Sequence, residues 1–336
     1  MIRNAIAKMV EGRDLQEAEM TAVMGKIMDG EGTDAQIGAF MTALRMKGET
    51  IDEVTGAARA MRRRAVRVDA RSLLIVDTCG TGGDGRGTFN ISTTTAFVVA
   101  AAGIVVAKHG NRAVSSGCGS ADLLEALGVN IDAGIETVEA CLQEIGIGFL
   151  FAPRLHPAMK YAAGPRRELG IRSIFNMLGP LTNPAGATVQ LLGVYDSRLT
   201  EVFAAVLERL GSKRAFVVCG SDGIDEATVT GETRVSELDD GLIVTYNIDP
   251  SPYFGGYHDI SSLAGGDAEG NAQITKAVLS GEEGPHRDVV LLNAGLAITA
   301  ASISPDLSAG IETARQCIDD GSAMKVLQSL IEMTNA

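Results

Sequence analysis

Cysteine is scarce and unpatterned in this chain. The five residues, Cys79, Cys118, Cys141, Cys219 and Cys317, are odd in number, scattered and without CxxC spacing, which argues against a disulfide framework and a zinc knuckle. Reduced thiols are expected, with small volume the reason for Cys79 and Cys118 in the loops described below. Positive charge is short as well. Lysine and arginine number 29 against 42 acidic residues, a net charge of −13, whereas a nucleic-acid binder carries a basic excess or a strongly basic face. The one basic cluster, Arg62, Arg63, Arg64 and Arg67, closes a predicted helix, where cations favour the dipole, and is expected to be solvated. No apolar run reaches membrane-spanning length, since the alanine- and valine-rich stretch 96–107 is broken by Gly103. With no charged, apolar and small-residue leader either, the expectation is a soluble, cytoplasmic protein with no membrane partner. The motifs GxxxxGKS and GxxxxGKT are missing, so a triphosphatase P-loop is unsupported. No internal repeat is found, and 336 residues suffice for two domains.

What is present is concentrated in residues 77–122. The run 73–76 (LLIV) has the character of a buried strand, and it leads into Gly80, Thr81, Gly82, Gly83, Asp84, Gly85 and Gly87. Glycine permits the backbone angles that turn successive N–H groups inward, so such a loop can cradle an anion. Asn90, Ser92, Thr93, Thr94 and Thr95 then precede the apolar stretch 96–102 and open a helix whose N-terminus favours negative charge. A second strand, 104–107, delivers Lys108, His109, Asn111 and Arg112 to a second loop. Two loops at neighbouring strand ends face one ligand. Gly80, Gly82 and Gly85 also satisfy GxGxxG, but a dinucleotide site wants an acidic residue at the end of the next strand. Lys108 and His109 stand there instead and suit phosphate.

Residues 1–68 are helical in pattern, with caps expected at Asp14-x-x-Glu17, Thr33-x-x-Gln36 and Thr50-x-x-Glu53. Ile37, Phe40, Met41 and Leu44 form one apolar stripe. From residue 71, short apolar runs alternate with helical segments, the pattern of an α/β domain with a central, largely parallel sheet. The division expected is a helical domain over 1–68, taking back a return segment near 151–172, and an α/β domain over 69–336 that carries the phosphate-binding loops. Helices are expected at 122–127, 136–145, 158–170 with a break at Gly164 and Pro165, 197–210, 271–279, 285–300 and 307–331. Strands are expected at 148–151 and 215–219 and near Thr228, Arg234 and Leu242, with a turn at 178–184. After the strand 215–219, Asp222, Asp225 and Glu226 converge in a loop without a cation of its own. Adjacent carboxylates there can bind a hard cation, and magnesium takes one or two of them together with substrate phosphates. Alone, an acidic dipeptide is more often a solvated loop.

The patterns GTGGD, TFNIST, AKHGNRAVSSGCGSADLLEALGV, HPAMKYAAGPRRELGIRSIFNMLGPLTNP and DGIDE, in this order and spacing, resemble the anthranilate phosphoribosyltransferases of tryptophan biosynthesis. The resemblance extends from the first helices to about residue 293. It implies a small helical domain joined to a large α/β domain, and a homodimer formed through the helical part. The reaction implied is transfer of the 5-phosphoribosyl group from phosphoribosyl pyrophosphate (PRPP) to the amine of anthranilate, with pyrophosphate leaving. Carried over residue by residue, Gly83, Asp84, Asn90, Ser92, Thr93, Lys108 and Ser120 hold PRPP. The substrate-binding set further includes Thr88, Ile91, His109, Gly110, Arg112, Ala113, Val114, Ser115 and Ser116. Two Mg2+ ions are implied, one on Ser92 and Glu226, the other on Asp225 and Glu226. Asn111 and Arg166 fix anthranilate, with backbone contact from Gly80, and Lys108, Asn111 and Arg166 are the residues expected to carry catalysis. His109 and His156 either shape the aromatic site or are packed, hydrogen-bonded histidines. The alternatives are a pyrimidine nucleoside phosphorylase, which needs no magnesium pair, and a nucleic-acid-binding paralogue, which should be basic. Thr94 and Thr95 stand where alanines are common, and 251–255 and 295–300 also depart from the usual pattern.

Overall fold

The computed structural model describes residues 1–72, 74–113 and 117–336. Four helices come first: α1 (Ile2–Val10), α2 (Glu17–Met28), α3 (Asp34–Lys47) and α4 (Ile51–Arg62). Then follow β1 (Ile75–Gly80), α5 (Ile91–Ala101), β2 (Val105–Gly110), α6 (Ser120–Leu127), α7 (Ile135–Glu144), β3 (Ile147–Phe151), α8 (Ala152–Leu155), α9 (Lys160–Leu169) and α10 (Ile174–Leu178). The remainder is β4 (Val189–Gly193), α11 (Leu199–Arg209), β5 (Arg214–Gly220), β6 (Thr233–Asp239), β7 (Leu242–Ile248), α12 (Ser251–Phe254), α13 (Ala268–Leu279), α14 (Pro285–Ala300), α15 (Leu307–Asp319) and α16 (Ser322–Asn335). The helical start and the largely parallel sheet are as expected. Strand order is β3-β2-β1-β4-β5-β6-β7, parallel from β3 to β5 and antiparallel from β5 to β7.

Local rules account for several helix starts. Thr33 with Gln36 and Thr50 with Glu53 form reciprocal capping boxes. The expected Asp14–Glu17 cap is displaced: α2 opens on a box between Gln16 and Glu19, and Asp14 pairs with Lys47 at 2.6 Å instead. Pro165 lies inside α9 without ending it, so the expected break is absent. The expected helix 307–331 is two, divided at Gly321, whose φ of 79° suits glycine. Thr228 is in no strand; its N–H donates to the Thr233 hydroxyl. Leu73, the first residue of the expected strand 73–76, lies outside the described residues, and β4 was not anticipated.

Alternation along the strands sorts side chains onto two faces. Val76, Val189, Leu191, Phe216 and Val218 join Phe97, Leu291 and Leu327 in one core. Leu192, Ala215 and Val217 point the other way, into a core shared with Met24, Phe40 and Leu44 of the first helices and Phe203 of α11. The helical bundle therefore buries its apolar stripe on the same packed mass as one face of the sheet. Arg62 reinforces that contact, donating to the carbonyls of Leu181 at 2.7 Å and Leu210 at 3.2 Å. This corrects the expectation of a solvated basic cluster at Arg62, whose guanidinium is taken up by carbonyls of the larger part, while Arg63 and Arg67 are exposed as expected. Within the bundle, α2 and α4 approach so closely that a Cβ on Gly56 would meet the Glu17 carbonyl oxygen at 2.5 Å, and α9 lies against both α2 and α3.

A pair of histidines ties β2 to the segment after β3. The His109 Nδ1 is 3.1 Å from the Gly179 carbonyl oxygen, which can only accept, so Nδ1 carries the proton. Its Nε2 is then the acceptor for the Nε2–H of His156, 3.2 Å away. Both rings are buried. Of the two roles open to them, the geometry is that of packed, hydrogen-bonded histidines.

Two predictions follow from these contacts. The fully buried Glu53 carboxylate accepts from the N–H groups of Leu15 and Thr50, each at 2.9 Å, and from Lys47 Nζ at 2.9 Å. Glu53→Ala leaves two buried N–H groups unpaired and the Lys47 ammonium with only the exposed Asp14 and the Gly48 carbonyl, and should cost about 3 kcal/mol in urea unfolding. Burial pushes His109 down to about 3 and His156 down to about 4 from an ordinary 6.5. The unfolded chain therefore binds more protons between these values, so the stability held above about pH 6.5 is lost as pH falls towards 4. The urea midpoint should drop over that interval, and His156→Gln should flatten the drop.

Candidate active site

Four neighbouring parallel strands, β2, β1, β4 and β5, each end in glycine: Gly110, Gly80, Gly193 and Gly220. The chain leaves β1 for β2 and β3 on one side and returns as β4 on the other, so the crevice of this α/β sheet opens above the β1/β4 boundary. Gly80 and Gly193 are partners in register there. A Cβ on Gly80 would strike the Asp225 carboxylate, and one on Gly193 the Asp225 main chain. Bare strand ends are what let the loop after β5 lie flat across the crevice. Gly193 escaped the sequence reading because its strand did, and no local motif marks it.

The loop brings both expected carboxylates onto the glycine-rich turn and the start of α5. Asp225 accepts from the Gly82 N–H at 2.6 Å, and Glu226 from the Ser92 N–H at 3.1 Å at the N-terminus of α5. Burial, then the charge of Asp84, push the Asp225 carboxyl above its usual range, against the pull of the Gly82 N–H and Arg172. Burial and the adjacent Asp225 do the same to Glu226, opposed by Lys108 and Ser92. Asp222 does not join them. It accepts from the hydroxyls of Thr228 at 2.6 Å and Thr230 at 2.5 Å, because the turn at Gly223, with φ of 86°, faces it the other way. The acidic neighbour of Asp225 is Asp84, from the opposite loop. Among the described residues no three His, Cys, Asp or Glu side chains converge on one point. The buried Glu226 and half-buried Asp225 carboxyls, with the Ser92 hydroxyl beside them, form a hard, acidic, oxygen-only donor set. That set fits magnesium, which completes its shell with water and substrate phosphates.

Lys108 is buried beneath this pair. Its ammonium donates to the Thr78 carbonyl and lies 3.4 Å from the Ser92 hydroxyl. Asp77, fully buried on β1, accepts from the Asn183 amide at 2.8 Å and the His109 N–H at 3.3 Å; burial raises its carboxyl, and Lys108 is the main counterweight. Neither Asp77 nor Asn183 figured among the expected residues, since only the folded sheet brings them together. Thr93 donates to the Ser120 hydroxyl at 3.1 Å, and Asn90 to the Cys118 carbonyl at 3.1 Å, joining the two loops. Thr88 bridges to Ala264, and Ile91 is buried at the first turn of α5. In the second loop, Asp122 accepts from the N–H groups of Ala113 and Gly119, both at 2.9 Å. Arg112 is held outward by Asp122 at 3.1 Å and Glu125 at 2.5 Å. Val114, Ser115 and Ser116 lie outside the described residues.

Of the two residues expected to meet the acceptor, Asn111 comes first: its side-chain oxygen accepts from the Arg112 N–H at 2.8 Å. The Arg166 guanidinium, on α9, sits 5.3 Å from the Phe175 ring and makes no hydrogen bond or ion pair among the described residues. Burial lowers its ordinary affinity for a proton. A half-buried guanidinium without a counter-ion is a place for a small carboxylate. Arg172, which the sequence reading passed over, donates to the carbonyls of Gly82 at 2.8 Å and Gly83 at 2.7 Å.

Comparison with known proteins agrees with this arrangement. Residues 72–324 match the α/β domain of a glycosyl transferase family, and residues 3–65 match that family's helical bundle domain. An anthranilate phosphoribosyltransferase of Syntrophobacter fumaroxidans is 58% identical, over 100% of this chain and 99% of its own length. The anthranilate phosphoribosyltransferase structure from Thermus thermophilus superposes with a TM-score of 0.93 at 43% identity, covering 99% of both chains. That from Saccharomyces cerevisiae, solved in complex with PRPP and Mg, gives 0.91 at 28% identity, covering 99% of this chain and 98% of its own. With both domains matched and identity above one half along its whole length, the chain belongs to the anthranilate phosphoribosyltransferase family.

Proposed function

We propose that the protein transfers the 5-phosphoribosyl group of PRPP to the amine of anthranilate, releasing pyrophosphate, as its family's name states. The observation that carries this reading is the closure of two loops, a helix start and a strand end on one crevice: Asp225 on Gly82, Glu226 on Ser92 of α5, and Lys108 of β2 beneath Ser92. Neither a nucleoside phosphorylase nor a nucleic-acid-binding paralogue is favoured, since the relatives named above are anthranilate phosphoribosyltransferases throughout.

The chemistry asks little of acid or base. The aromatic amine of anthranilate is uncharged near neutral pH, so it needs alignment rather than deprotonation. The barrier lies in parting pyrophosphate from a sugar that gains oxocarbenium character, and stabilising the departing charge is the main task. The backbone N–H groups of the Gly80–Gly87 loop and the N-terminus of α5 face the diphosphate, with Gly83, Asp84, Asn90, Ser92, Thr93 and Ser120 as its contacts. Lys108 holds Ser92 and the Thr78 carbonyl in place and lends its charge from below. Arg166 and Asn111 orient anthranilate through its carboxylate and amine. Magnesium, when bound, neutralises the charge that builds on the diphosphate. Two ions are proposed, Ser92 with Glu226 holding one and Asp225 with Glu226 the other. The protein is further taken to act as a homodimer through the helical part, in the cytoplasm.

The reading as a whole is checked by mixing protein, magnesium, PRPP and anthranilate and following anthranilate fluorescence. The signal should fall, and a constant signal at high protein concentration would refute the activity. Arg166→Ala should weaken anthranilate by about 30-fold, roughly 2 kcal/mol for a lost charge-assisted contact, while PRPP affinity in calorimetry barely moves. Equal weakening of both would place Arg166 on the donor side. Asp225→Asn with Glu226→Gln keeps shape and removes both charges. This double variant should stay folded, lose most activity and lose the dependence of PRPP affinity on magnesium; retention of that dependence would remove these carboxylates from the metal site.

A further inference from the structure

Arg172 has no place among the substrate contacts above, yet the glycine loop rests on it. It follows the end of α9 by three residues, with Gly170 and Ile171 between. Its Nη2 spends both hydrogens on the Gly82 and Gly83 carbonyls. Its guanidinium also lies over the Tyr195 ring, 3.6 Å from the centroid, and Tyr195 stands two residues beyond Gly193 at the end of β4. Gly82 and Gly83 both have positive φ, 67° and 75°, which leaves the Gly82 N–H to Asp225 and the two carbonyls to Arg172. A side chain on Gly83 would fall on the guanidinium. The loop is gripped along both edges, by a carboxylate from the β5 loop and by a cation from the end of α9.

The same α9 carries Arg166, six residues earlier. We propose that Arg172 is a positioning residue that couples the donor and acceptor sites, so that a glycine loop ordered on diphosphate fixes Arg172 and, through the end of α9, sets Arg166 for the acceptor carboxylate. This inference rests on the reaction assigned above. Its physical basis is that a planar guanidinium held by two carbonyls and a ring face has one orientation, which the flexible stem and point charge of lysine cannot reproduce. Whichever ligand binds first orders the joint, and the second meets a segment already in place. Such coupling acts equally in both directions.

The test uses ligands that cannot react with each other. Anthranilate is titrated calorimetrically into the full chain with and without saturating magnesium pyrophosphate, and magnesium pyrophosphate with and without anthranilate. In the unaltered protein each ligand should raise the affinity of the other by the same factor, about fivefold or more. In Arg172→Gln and in Arg172→Lys the factor should fall to near one, while each ligand alone still binds. The lysine variant keeps the charge beside Asp225 and serves if the glutamine variant fails to fold. A factor near one in the unaltered protein, or an undiminished factor in a folded variant, overturns the coupling and leaves the reaction assignment standing. Failure of either ligand to bind the unaltered protein at all overturns both.

Discussion

Two carboxylates, Glu226 buried and Asp225 half-buried, stand at the C-terminal ends of the central strands, and much of the molecule is arranged around keeping them there. Buried negative charge is expensive unless it is partnered. Here the partners come from every side: the Gly82 N–H, the Ser92 N–H at the positive end of α5, Lys108 from β2 and Arg172 from beyond α9. Glycine at the ends of β1 and β4 is the steric condition for all of it, because any side chain there would lift the carboxylate loop away. Burial and mutual repulsion make both carboxyls hold their protons more tightly than usual, and a divalent cation that displaces those protons relieves both costs at once.

This layout resolves the tension between a net charge of −13 and an anionic substrate. The cations that matter are few and placed under or beside the crevice, whereas the surface acids lie elsewhere. Arg112 shows the limit of judging by sequence proximity alone. It follows Lys108 by four residues, but it stands just past the end of β2, where Asp122 and Glu125 hold it at the surface as a brace for the start of α6.

What could be foreseen was what local chemistry encodes. The glycine-rich turn, the hydroxyl-rich start of α5, the Thr33 and Thr50 caps and the Asp225–Glu226 pair each announce themselves within a few residues. What could not be foreseen depends on partners far away in the chain. β4 has a glutamine as its second residue, and Gln190 is tolerated because its amide reaches the Pro180 carbonyl at 2.7 Å. Gly193 gains its meaning only from a loop thirty-odd residues later, and Asp77 only from Asn183 and Lys108. Asp14 had the right spacing for a cap, but a lysine on the far side of the bundle claimed it first.

The helical bundle and the sheet share one apolar mass: Met24 and Phe40 from the bundle lie in the same core as Leu192 and Val217 from the strands, with Arg62 fastened across the boundary. A part that borrows its interior from its neighbour is not a separate thermodynamic unit. Heat or denaturant should therefore take bundle and sheet apart in one transition rather than two. Any motion that admits substrate must then be found in the loops and in the end of α9, because swinging the bundle as a rigid body would open that common interior to water.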